Sequence, residues 1–584
     1  MDNISLARLL DETASLLEID GADPFRIRSY RRAAEAVEQQ TTQLAALAGA
    51  EADPKALLAI AGIGKSMAAN IRDLVATGSM PLRDELLTKY RPTMLDLLRL
   101  PAMGPKTVAL VWSALQVSNI DELEAAAKAG QLAKLPRMGE KFAVKLLKGI
   151  EDFRRNSSRF RIDVARAHAE RIAGLILEFP GIDQVTPAGS LRRGRETVGD
   201  LDLLATGPAC EADVVAAAVE HVATLPLIDK LMARGQNKVT FTLRNNLQVD
   251  VRLLPRASYG AALQYFTGSK HHNVSLRQRA LKQGMTLSEY ALLRQDDNTV
   301  VASRSEEEIY NALGLDYIPP ELRENCGELE AAAEHQLPRL ISLADLRGDV
   351  HMHTSETDGT CTIREMAEAA IARGRKYIAI TDHSKNLAMT NGMDDRRALA
   401  HAERVRQVNR EMEGRIHIFT GIECDILAEG EMDLEDATLA QLDIVIASVH
   451  SRFDQPLEVM TARVLRAIEN PYVRILAHPT GRKLLKRDPY AIDLERVMTR
   501  AAELGVAVEH NAAPARTDLS DLHLRQAKRL GCRIVINNDA HATAEMDYFE
   551  DGIVQLRRAW LTAEDVLNTK ATAEEFLAGL RTRP

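Results

Sequence analysis

Hydrophobic and polar positions follow different patterns in successive parts of the 584-residue chain. Up to about residue 155, apolar residues, mainly Ala and Leu, recur at helical spacing between short turns that contain glycine. From about residue 180, the apolar residues form runs typical of strands, namely LDLLA, KVTFTLR and LQVDVRLL. This order predicts an all-α N-terminal region followed by an α+β domain.

From residue 346 onward, short apolar runs alternate with amphipathic helices, which is the pattern of parallel α/β architecture. Seven strands are predicted: LRGDVHMH, KYIAITDH, HIFTGIEC, LDIVIASVH, VRILAHP, VAVEHN and RIVINNDAH. His, Asp and Glu cluster toward the C-terminal ends of these runs, where a barrel of β/α units places catalytic groups. Residues 319–345, which precede this region, contain prolines and no strong period, so we predict a linker there.

Composition narrows the class of protein. The chain is 46% hydrophobic and long enough for several domains, and it contains no run of 18 apolar residues that would predict a membrane helix. Its N-terminus, MDNISLARLLDE, lacks the basic flank and apolar core of a secretion signal. Five scattered cysteines without a Cys-x-x-Cys pair argue against a disulfide scaffold or a Cys-based zinc finger. We therefore expect a cytoplasmic protein.

The net charge of −9 says little about nucleic acid, because it averages over separate domains. A local run of basic residues in 131–161 is either a solvated helix face or a stripe that binds phosphates. Its nine members are Lys134, Arg137, Lys141, Lys145, Lys148, Arg154, Arg155, Arg159 and Arg161.

Three glycine turns lie in the N-terminal region. In LLAIAGIGKSMAANI, Gly62 and Gly64 permit a tight bend just before Lys65, and the next helix begins with free N–H groups that can bind a backbone phosphate. The turn repeats as LPAMGPK and LPRMGEK, around Gly104 and Gly139. Three such turns predict helix-hairpin-helix DNA binding, with ordinary helix caps as the alternative.

Three aspartates follow the pattern of a metal site. Asp200 and Asp202 are two apart on a predicted strand, so their carboxylates share a face, and Asp250 lies on the strand LQVDVRLL. Oxygen ligands suit Mg²⁺ or Mn²⁺, and two such ions can activate a 3′-hydroxyl and neutralise charge on a nucleotide's phosphates. A turn with chance acids would not explain an acidic pair at the mouth of an apolar strand.

The same motif, GSLRRGRETVGDLD, begins with a glycine-serine turn. Gly189 and Ser190, with Arg192 and Arg193 close by, offer backbone N–H, hydroxyl and guanidinium donors. We expect these donors to hold a triphosphate tail.

Ten of the 15 histidines fall after residue 345, at predicted strand ends that also carry acids. Mixed nitrogen and oxygen ligands can hold two or three ions of the Mn²⁺, Zn²⁺ or Fe²⁺ type, which is equipment for phosphoester hydrolysis. The candidate ligands are His351, His353, Asp358, His383, Glu423, His450, His478, Asp539 and His541.

Three histidines and two arginines of this region lie outside the predicted ligand set. His401, His417 and His523 lie outside the motifs, and we expect them at the surface. Arg482 and Arg516 follow strands at the same end of the barrel, where they are candidates to hold a substrate phosphate.

Residues 1 to about 318 resemble the family X (beta-like) DNA polymerases. The resemblance rests on GIGKS, GSLRRG with GDLD, VDVRLLP and the run Tyr265-Phe266-Thr267-Gly268-Ser269, which selects family X among nucleotidyltransferases. It implies that Asp200 and Asp202 bind both metals and that Asp250 binds the ion at the primer 3′-hydroxyl.

The resemblance also implies roles around the nucleotide. Gly189, Ser190 and Arg193 would hold the triphosphate, Tyr265 and Phe266 would lie against the sugar, and Gly268 would also belong to the nucleotide-binding site. Asn273 would reach the minor-groove edge of the incoming base, and Arg277 the template strand. The chain departs from the family pattern at Lys270, where beta-type members have an acid. It departs again at Asn70, where they have the lysine that removes a 5′-deoxyribose phosphate.

The second half, from about residue 345 to 570, resembles the polymerase-and-histidinol-phosphatase (PHP) superfamily, a distorted seven-stranded β/α barrel. All nine metal positions of that superfamily are filled. The segments YIPPELREN and DLRGDVHMHT together match bacterial family X members that carry this barrel.

The predicted layout is therefore multidomain. It comprises a helix-hairpin-helix domain (1–90), a helical DNA-binding subdomain (91–155), a nucleotidyltransferase palm (156–255), a nucleotide-selection subdomain (256–318), the linker (319–345) and the PHP domain (346–584). The resemblance implies a monomer that fills gaps in gapped or nicked DNA with dNTPs and resects 3′ ends. A barrel that acts as a small-molecule phosphatase and a non-catalytic DNA-end scaffold remain the alternatives.

Overall fold

The computed structural model describes residues 3–38, 44, 55–60, 62–100, 102–136, 138–157 and 159–580. It divides the chain into two compact units, residues 1–157 and residues 158–584.

The first unit is helical, as predicted. One apolar core is built from residues 6–86 and includes Leu10, Tyr30 and Ile71, and a second is built mainly from residues 94–150 and includes Val108 and Leu123. The α-helices with described bounds are Asn3–Ile19, Pro24–Glu38, Lys65–Thr77, Pro81–Lys89, Met94–Leu97, Pro105–Leu115, Ile120–Lys128 and Glu140–Ser157.

The second unit begins with a five-stranded mixed sheet, which we call the palm sheet. Its two central strands, Asp200–Thr206 and Gln248–Leu254, run parallel, and the outer pairs are antiparallel. The helices Ile162–Leu177 and Val215–Ala223 pack against it, because their apolar faces share one core with the sheet. In spatial order, the strands are Gln184–Pro187, Asp200–Thr206, Gln248–Leu254, Lys238–Thr242 and Lys230–Arg234.

Residues 259–312 form a smaller α+β region with the helices Tyr259–Thr267, Lys270–Lys282 and Glu306–Ala312. Its antiparallel strands are Met285–Leu287, Leu292–Arg294 and Val300–Ala302.

The structure corrects the prediction of a linker at 319–345. This segment contains the helix Glu328–Ala333, and Leu322, Leu329 and Leu340 are buried in the core of the preceding region. Its buried positions come largely from turns and one short helix, so they leave no hydrophobic period in the sequence. The segment is packed rather than extended.

Seven parallel strands follow in chain order and form the predicted barrel. A parallel bridge between Met352 and Ala540, just beyond the first and last strands, brings the two edges together. The strands are Gly348–Asp349, Tyr377–Ile380, His417–Asp425, Ile444–Ser448, Ile475–Leu476, Ala507–Asn511 and Ile534–Asn537. The α-helices are Ile363–Ala372, Asp395–Glu411, Asp436–Leu439, Leu457–Glu469, Leu494–Leu504, Asp521–Arg529, Phe549–Arg558 and Ala573–Gly579.

Candidate active sites

The three glycine turns have one repeated geometry. In each, a buried residue between the two helices donates its backbone N–H to a carbonyl three residues earlier, at 3.1 to 3.2 Å. A Cβ added at Gly64, Gly104 or Gly139 would meet no atom within 4 Å among the described residues, so a ligand can approach the start of each helix closely. The three bonds are Ile63 to Ile60, Met103 to Leu100, and Met138 to Leu135.

The first turn also shows why glycine is needed at its bend. Gly62 has φ +95°, and an added Cβ would lie 3.3 Å from the Arg32 carbonyl. Lys65 is exposed and begins the following helix. The predicted basic stripe is only partly assessable, since Arg137 and the side chains of Arg154 and Arg155 lie outside the described residues.

The palm sheet brings two of the three predicted aspartates side by side. Asp202 and Asp250 are register partners on adjacent parallel strands, and Asp200 lies two residues before Asp202 on the same face. Burial raises the pKa of Asp202 to about 6, and the carboxylates of Asp200 and Asp250 act in the same direction. Two carboxylates that raise the pKa of a third fit a divalent cation, which would relieve the repulsion among them.

The third aspartate has neighbours of its own. Asp250 accepts a hydrogen bond from the Thr240 hydroxyl at 2.5 Å and forms an ion pair with Lys238 at 3.0 Å. Among the described residues, the groups of three or more side chains whose metal-ligating atoms all lie within 4.8 Å of one another belong to the barrel, and the three palm aspartates do not form such a group. Asp250 therefore lies beside Asp202, while Lys238 and Thr240 hold its carboxylate.

The predicted triphosphate turn closes directly over Asp202. Gly189 has φ +58°, and an added Cβ would lie 2.4 Å from Asp202 Oδ2, so only glycine fits. Arg193 donates from Nε to Glu324 at 3.0 Å and from Nη1 to the Thr267 carbonyl at 2.8 Å. Ser190 is partly exposed on this turn.

The run from Tyr265 to Asn273 is internally braced. Asn273 is buried, donates to the Tyr265 carbonyl at 2.6 Å and accepts from Gln264 at 3.0 Å. A Cβ at Gly268 would lie 2.5 Å from Asn273 Oδ1, which explains the glycine. The reach of Asn273 toward a base edge stays a prediction.

The two aromatic rings of this run meet at 77°, and arginines cover them. The Arg252 guanidinium lies 4.2 Å from the Phe266 ring centre, and that of Arg277 lies 5.9 Å from the Tyr265 ring centre. The rings are thus held in place on the side of the palm that carries Asp250.

The barrel gathers eight of the nine predicted ligands into three overlapping groups of metal-ligating atoms. The groups share His353, His383 and Glu423, as expected for a cluster of ions with bridging ligands. They comprise His353, Asp358, His383 and His541; His351, His353, Glu423 and Asp539; and His383, Glu423 and His450. The ninth, His478, is buried and lies 3.0 Å from Glu423 through its Nε2.

Several buried nitrogen and oxygen atoms of these groups lack a hydrogen-bond partner, and they indicate whether metal ions fit there. The atoms Nε2 of His351, Nδ1 of His353, Nδ1 of His383 and Oε2 of Glu423 are buried without a hydrogen-bond partner. Buried polar atoms without partners are costly unless a ligand satisfies them. Imidazole nitrogens and carboxylates are the donor set for Mn²⁺, Zn²⁺ or Fe²⁺, so the residues fit such ions.

Histidines and carboxylates alternate around these groups and shift one another's pKa values. Burial opposes a charge on His351, but the carboxylates of Glu509, Asp539 and Glu423 outweigh it and raise its pKa well above the usual range. Burial also opposes the charge on Glu423, yet His450, His383 and His351 hold its pKa well below the usual range. A metal ion binds such groups by displacing protons, because ligands must be deprotonated.

A further layer of residues orients the ligands, and the sequence analysis did not find it. Glu509 accepts from His351 Nδ1 at 2.7 Å, Asp425 pairs with His450 Nδ1 at 2.6 Å, and Asn511 donates to Asp539 at 2.9 Å. Such contacts fix the tautomer and direction of a metal-binding imidazole. Their position at strand ends was the available signal.

One expectation about the histidines was wrong. His401 is 2% exposed, and its Nε2 lies 2.9 Å from Asp382. Asp382 also accepts hydrogen bonds from the backbone N–H and hydroxyl of Thr354 and from the hydroxyl of Thr357. His401 therefore supports the loop between the candidate ligands His353 and Asp358.

The two arginines considered for phosphate binding have different partners in the structure. Arg516 lies 3.3 Å from the candidate ligand Asp539. Arg482 instead pairs with Glu196 of the palm at 2.6 Å and also donates to the Thr517 carbonyl. Only Arg516 stays a candidate to contact substrate.

Sequence models of four protein families match the chain. They are a helix-hairpin-helix domain (residues 1–80), a SAM-like helix-hairpin-helix tandem (94–152), the DNA polymerase beta thumb (262–324) and the PHP domain (349–480). The chain is 36% identical over 582 residues to the DNA polymerase/3′-5′ exonuclease PolX of Bacillus subtilis, and the match covers 99% of each protein. The chain belongs to family X of the DNA polymerases, in its PHP-carrying branch.

Other relatives match a smaller part of this family X chain. A probable phosphatase of a Thermoanaerobacter species is 32% identical to the chain over 232 residues, and one of Caldanaerobacter subterraneus is 32% identical over 247 residues. These matches cover 38% and 40% of the chain and 89% and 92% of the relatives. No helix in the described part of the chain is long and apolar enough to cross a membrane.

Within family X, the helix after the first glycine turn leads to a prediction about lyase chemistry. The resemblance implies that Asn70 replaces the family's lysine. Asn70 donates to the Tyr30 hydroxyl at 2.8 Å, and an amide cannot attack an aldehyde. Lys65 lies five residues earlier, about 140° around the helix. We expect 5′-phosphate binding with weak or absent borohydride trapping on a 5′-deoxyribose-phosphate substrate. Efficient cross-linking that disappears in Lys65→Ala would place the nucleophile at Lys65 and contradict this prediction.

Proposed function

We propose that this chain is a DNA-directed DNA polymerase for gap filling in base-excision repair, and that its barrel is a metal-dependent 3′→5′ exonuclease that prepares 3′ ends. Its substrates would be gapped or nicked DNA and dNTPs, and it would act as a monomer on nucleoid DNA in the cytoplasm. The observation that carries the proposal is the register pairing of Asp202 with Asp250 beneath the Gly189 turn.

In the polymerase site, Asp200, Asp202 and Asp250 would hold Mg²⁺ or Mn²⁺, whose chemistry is activation of the primer 3′-hydroxyl and neutralisation of phosphate charge. The turn at Gly189 and Ser190 would receive the triphosphate through backbone and hydroxyl donors, with the Arg193 guanidinium adding charge. Tyr265 and Phe266, braced by arginines, would form the wall beside the sugar.

In the barrel, the nine ligands would hold two or three Mn²⁺, Zn²⁺ or Fe²⁺ ions, whose chemistry is to lower the pKa of a bound water and to clamp a phosphate. Glu509 and Asp425 would keep the imidazoles of His351 and His450 directed at the ions. Arg516, beside Asp539, would contact the phosphate of the terminal nucleotide.

The two donor sets lead to a prediction about metal preference. The palm offers carboxylates alone, whereas the barrel offers six imidazoles, which suit Mn²⁺ or Zn²⁺ better than Mg²⁺. We therefore expect resection to fall more steeply than synthesis when Mn²⁺ is replaced by Mg²⁺. Rates of both reactions, measured on one DNA across a titration of each ion, check this. Equal resection in Mg²⁺ alone would contradict it.

A second candidate function has its own support. Two relatives that match 38% and 40% of the chain are named probable phosphatases, so the barrel could hydrolyse a small phosphomonoester instead of DNA. Turnover of a free phosphomonoester without any release of nucleotides from DNA 3′ ends would favour it. A non-catalytic scaffold for DNA ends is the remaining alternative, and a failure to extend any primer would favour that.

The test of the proposed function uses a primer labelled at its 5′ end and annealed on gapped DNA with Mn²⁺. With the four dNTPs we expect the primer to lengthen across the gap, and without them we expect it to shorten from its 3′ end. A primer that stays unchanged in both reactions would reject the proposal.

A further inference from the structure

The barrel touches the palm at the turn that is proposed to bind the triphosphate. Two backbone carbonyls of that turn accept hydrogen bonds from side chains of the barrel helix Phe549–Arg558. Arg558 Nη1 donates to the Arg193 carbonyl at 2.6 Å, and Gln555 Nε2 donates to the Gly194 carbonyl at 2.7 Å. Both donors are buried, at 5% and 1% exposure, so water does not compete for these bonds.

The contact between turn and helix is also a close steric fit. Gly194 has φ +69°, and a Cβ added there would lie 2.0 Å from Val554 Cγ1. A side chain at this position would have to displace the Val554 side chain, the helix or the turn, and it would also have to adopt a left-handed backbone conformation. The turn begins at Gly189, which lies over Asp202. A displacement at Gly194 would therefore change the position of the turn relative to the aspartates proposed to bind metal.

A partly buried charge network extends this contact to the Arg193 side chain. One oxygen of Glu324 accepts from Arg193 Nε at 3.0 Å and from Arg558 Nη1 at 3.1 Å. Asp521 of the barrel accepts from Arg558 Nε at 2.9 Å and thereby fixes the far side of the guanidinium. Desolvated charges are costly unless they are paired and held, so this network requires a defined position for Arg193.

From these contacts we propose that Arg558 and Gln555 are positioning residues of the polymerase site. The barrel helix holds the phosphate turn and Arg193 in the conformation that receives the nucleotide's triphosphate. The barrel therefore contributes to synthesis through its fold, whether or not its metal centre is active. This inference rests on the proposed polymerase function.

The test compares two adjacent arginines of the same helix. Arg558→Met keeps the apolar stem and removes the donors to the Arg193 carbonyl and Glu324. Arg557→Met is the matched control, because Arg557 pairs with Glu321 at 2.7 Å and with the Ile341 carbonyl, and not with the turn. Gln555→Leu is a milder second variant that removes only the bond to Gly194, in case Arg558→Met does not fold.

We expect Arg558→Met to raise the KM for all four dNTPs by a common factor of about ten, with kcat within about twofold, because its two bonds to the site hold the turn and not the primer. The inhibition constant of pyrophosphate, which shares only the phosphate tail, should rise by the same factor. Gln555→Leu should raise both by roughly threefold. The KM for DNA and Mn²⁺-dependent resection should stay at the wild-type values, as should every parameter of Arg557→Met.

Three results would overturn the inference. The first is an unchanged KM for dNTPs and an unchanged inhibition constant of pyrophosphate in Arg558→Met and Gln555→Leu. The second is an equal rise of both constants in Arg557→Met. The third is a parallel fall of kcat, DNA affinity and resection, which indicates general damage to the fold. A wild-type protein that extends no primer would instead reject the proposed function, so the two failures are distinguishable.

Discussion

Asp250→Asn is expected to abolish primer extension and to leave 3′ resection at the wild-type rate. Asp250 is the register partner of Asp202 and is proposed to hold the ion at the primer 3′-hydroxyl. Loss of that carboxylate should cost about 4 kcal/mol or more of transition-state stabilisation, a loss of roughly a thousandfold. Steady-state extension and nucleotide-free resection, measured on the same labelled DNA, give the two rates.

The substitution keeps the shape of the side chain, so the fold should survive it. The amide oxygen can still accept from Thr240, which now bonds the carboxylate at 2.5 Å. Asp213→Asn is the matched control, because Asp213 is an exposed acid of the same domain. If the folded Asp250→Asn protein loses both activities, the two reactions share a site and the account is wrong.

Combined substitution of His351→Ala and His353→Ala is expected to eliminate resection while extension continues near the wild-type rate. His353 belongs to two of the three ligand groups and His351 to one of them, so the double change removes ligands from two groups, and the third group shares His383 and Glu423 with those two. Without bound ions, neither water activation nor phosphate clamping is available. Release of labelled nucleotides in Mn²⁺ should fall by at least roughly a thousandfold.

Both imidazoles are fully buried, so the alanines also leave space in the barrel. His351→Gln with His353→Gln keeps more volume and gives the same expectation if the alanine variant unfolds. His417→Ala serves as the control, since His417 lies at the N-terminal end of its strand and Glu423 lies near the other end. Resection that persists in the folded double variant would show that another site performs it.

Local patterns in the sequence were enough to name the candidate ligands. The spacing of Asp200 and Asp202 and that of His351 and His353 place each pair on one face of its strand, whatever the surrounding fold. The alternation of strands and helices similarly predicted the barrel. These features depend on neighbours within a few residues.

What the sequence did not predict depends on partners far apart in the chain. Arg558 bonds to the Arg193 carbonyl across 365 residues, and His351 bonds to Glu509 across 158. The pairing of His401 with Asp382 is closer in sequence, but it links a helix to a strand end and leaves no periodic signal. Burial and charge pairing at such positions follow from tertiary packing.

The central claim is that one chain carries two active sites built from separate residues. The most direct measurement is one gel that follows a 5′-labelled primer on gapped DNA in Mn²⁺, with and without dNTPs. It compares the wild type with three variants: Asp250→Asn, the double variant His351→Ala with His353→Ala, and the combination of all three changes. We expect lengthening and shortening by the wild type, only shortening by the first variant, only lengthening by the second and neither by the third. Loss of both reactions in either of the first two folded variants would contradict the account.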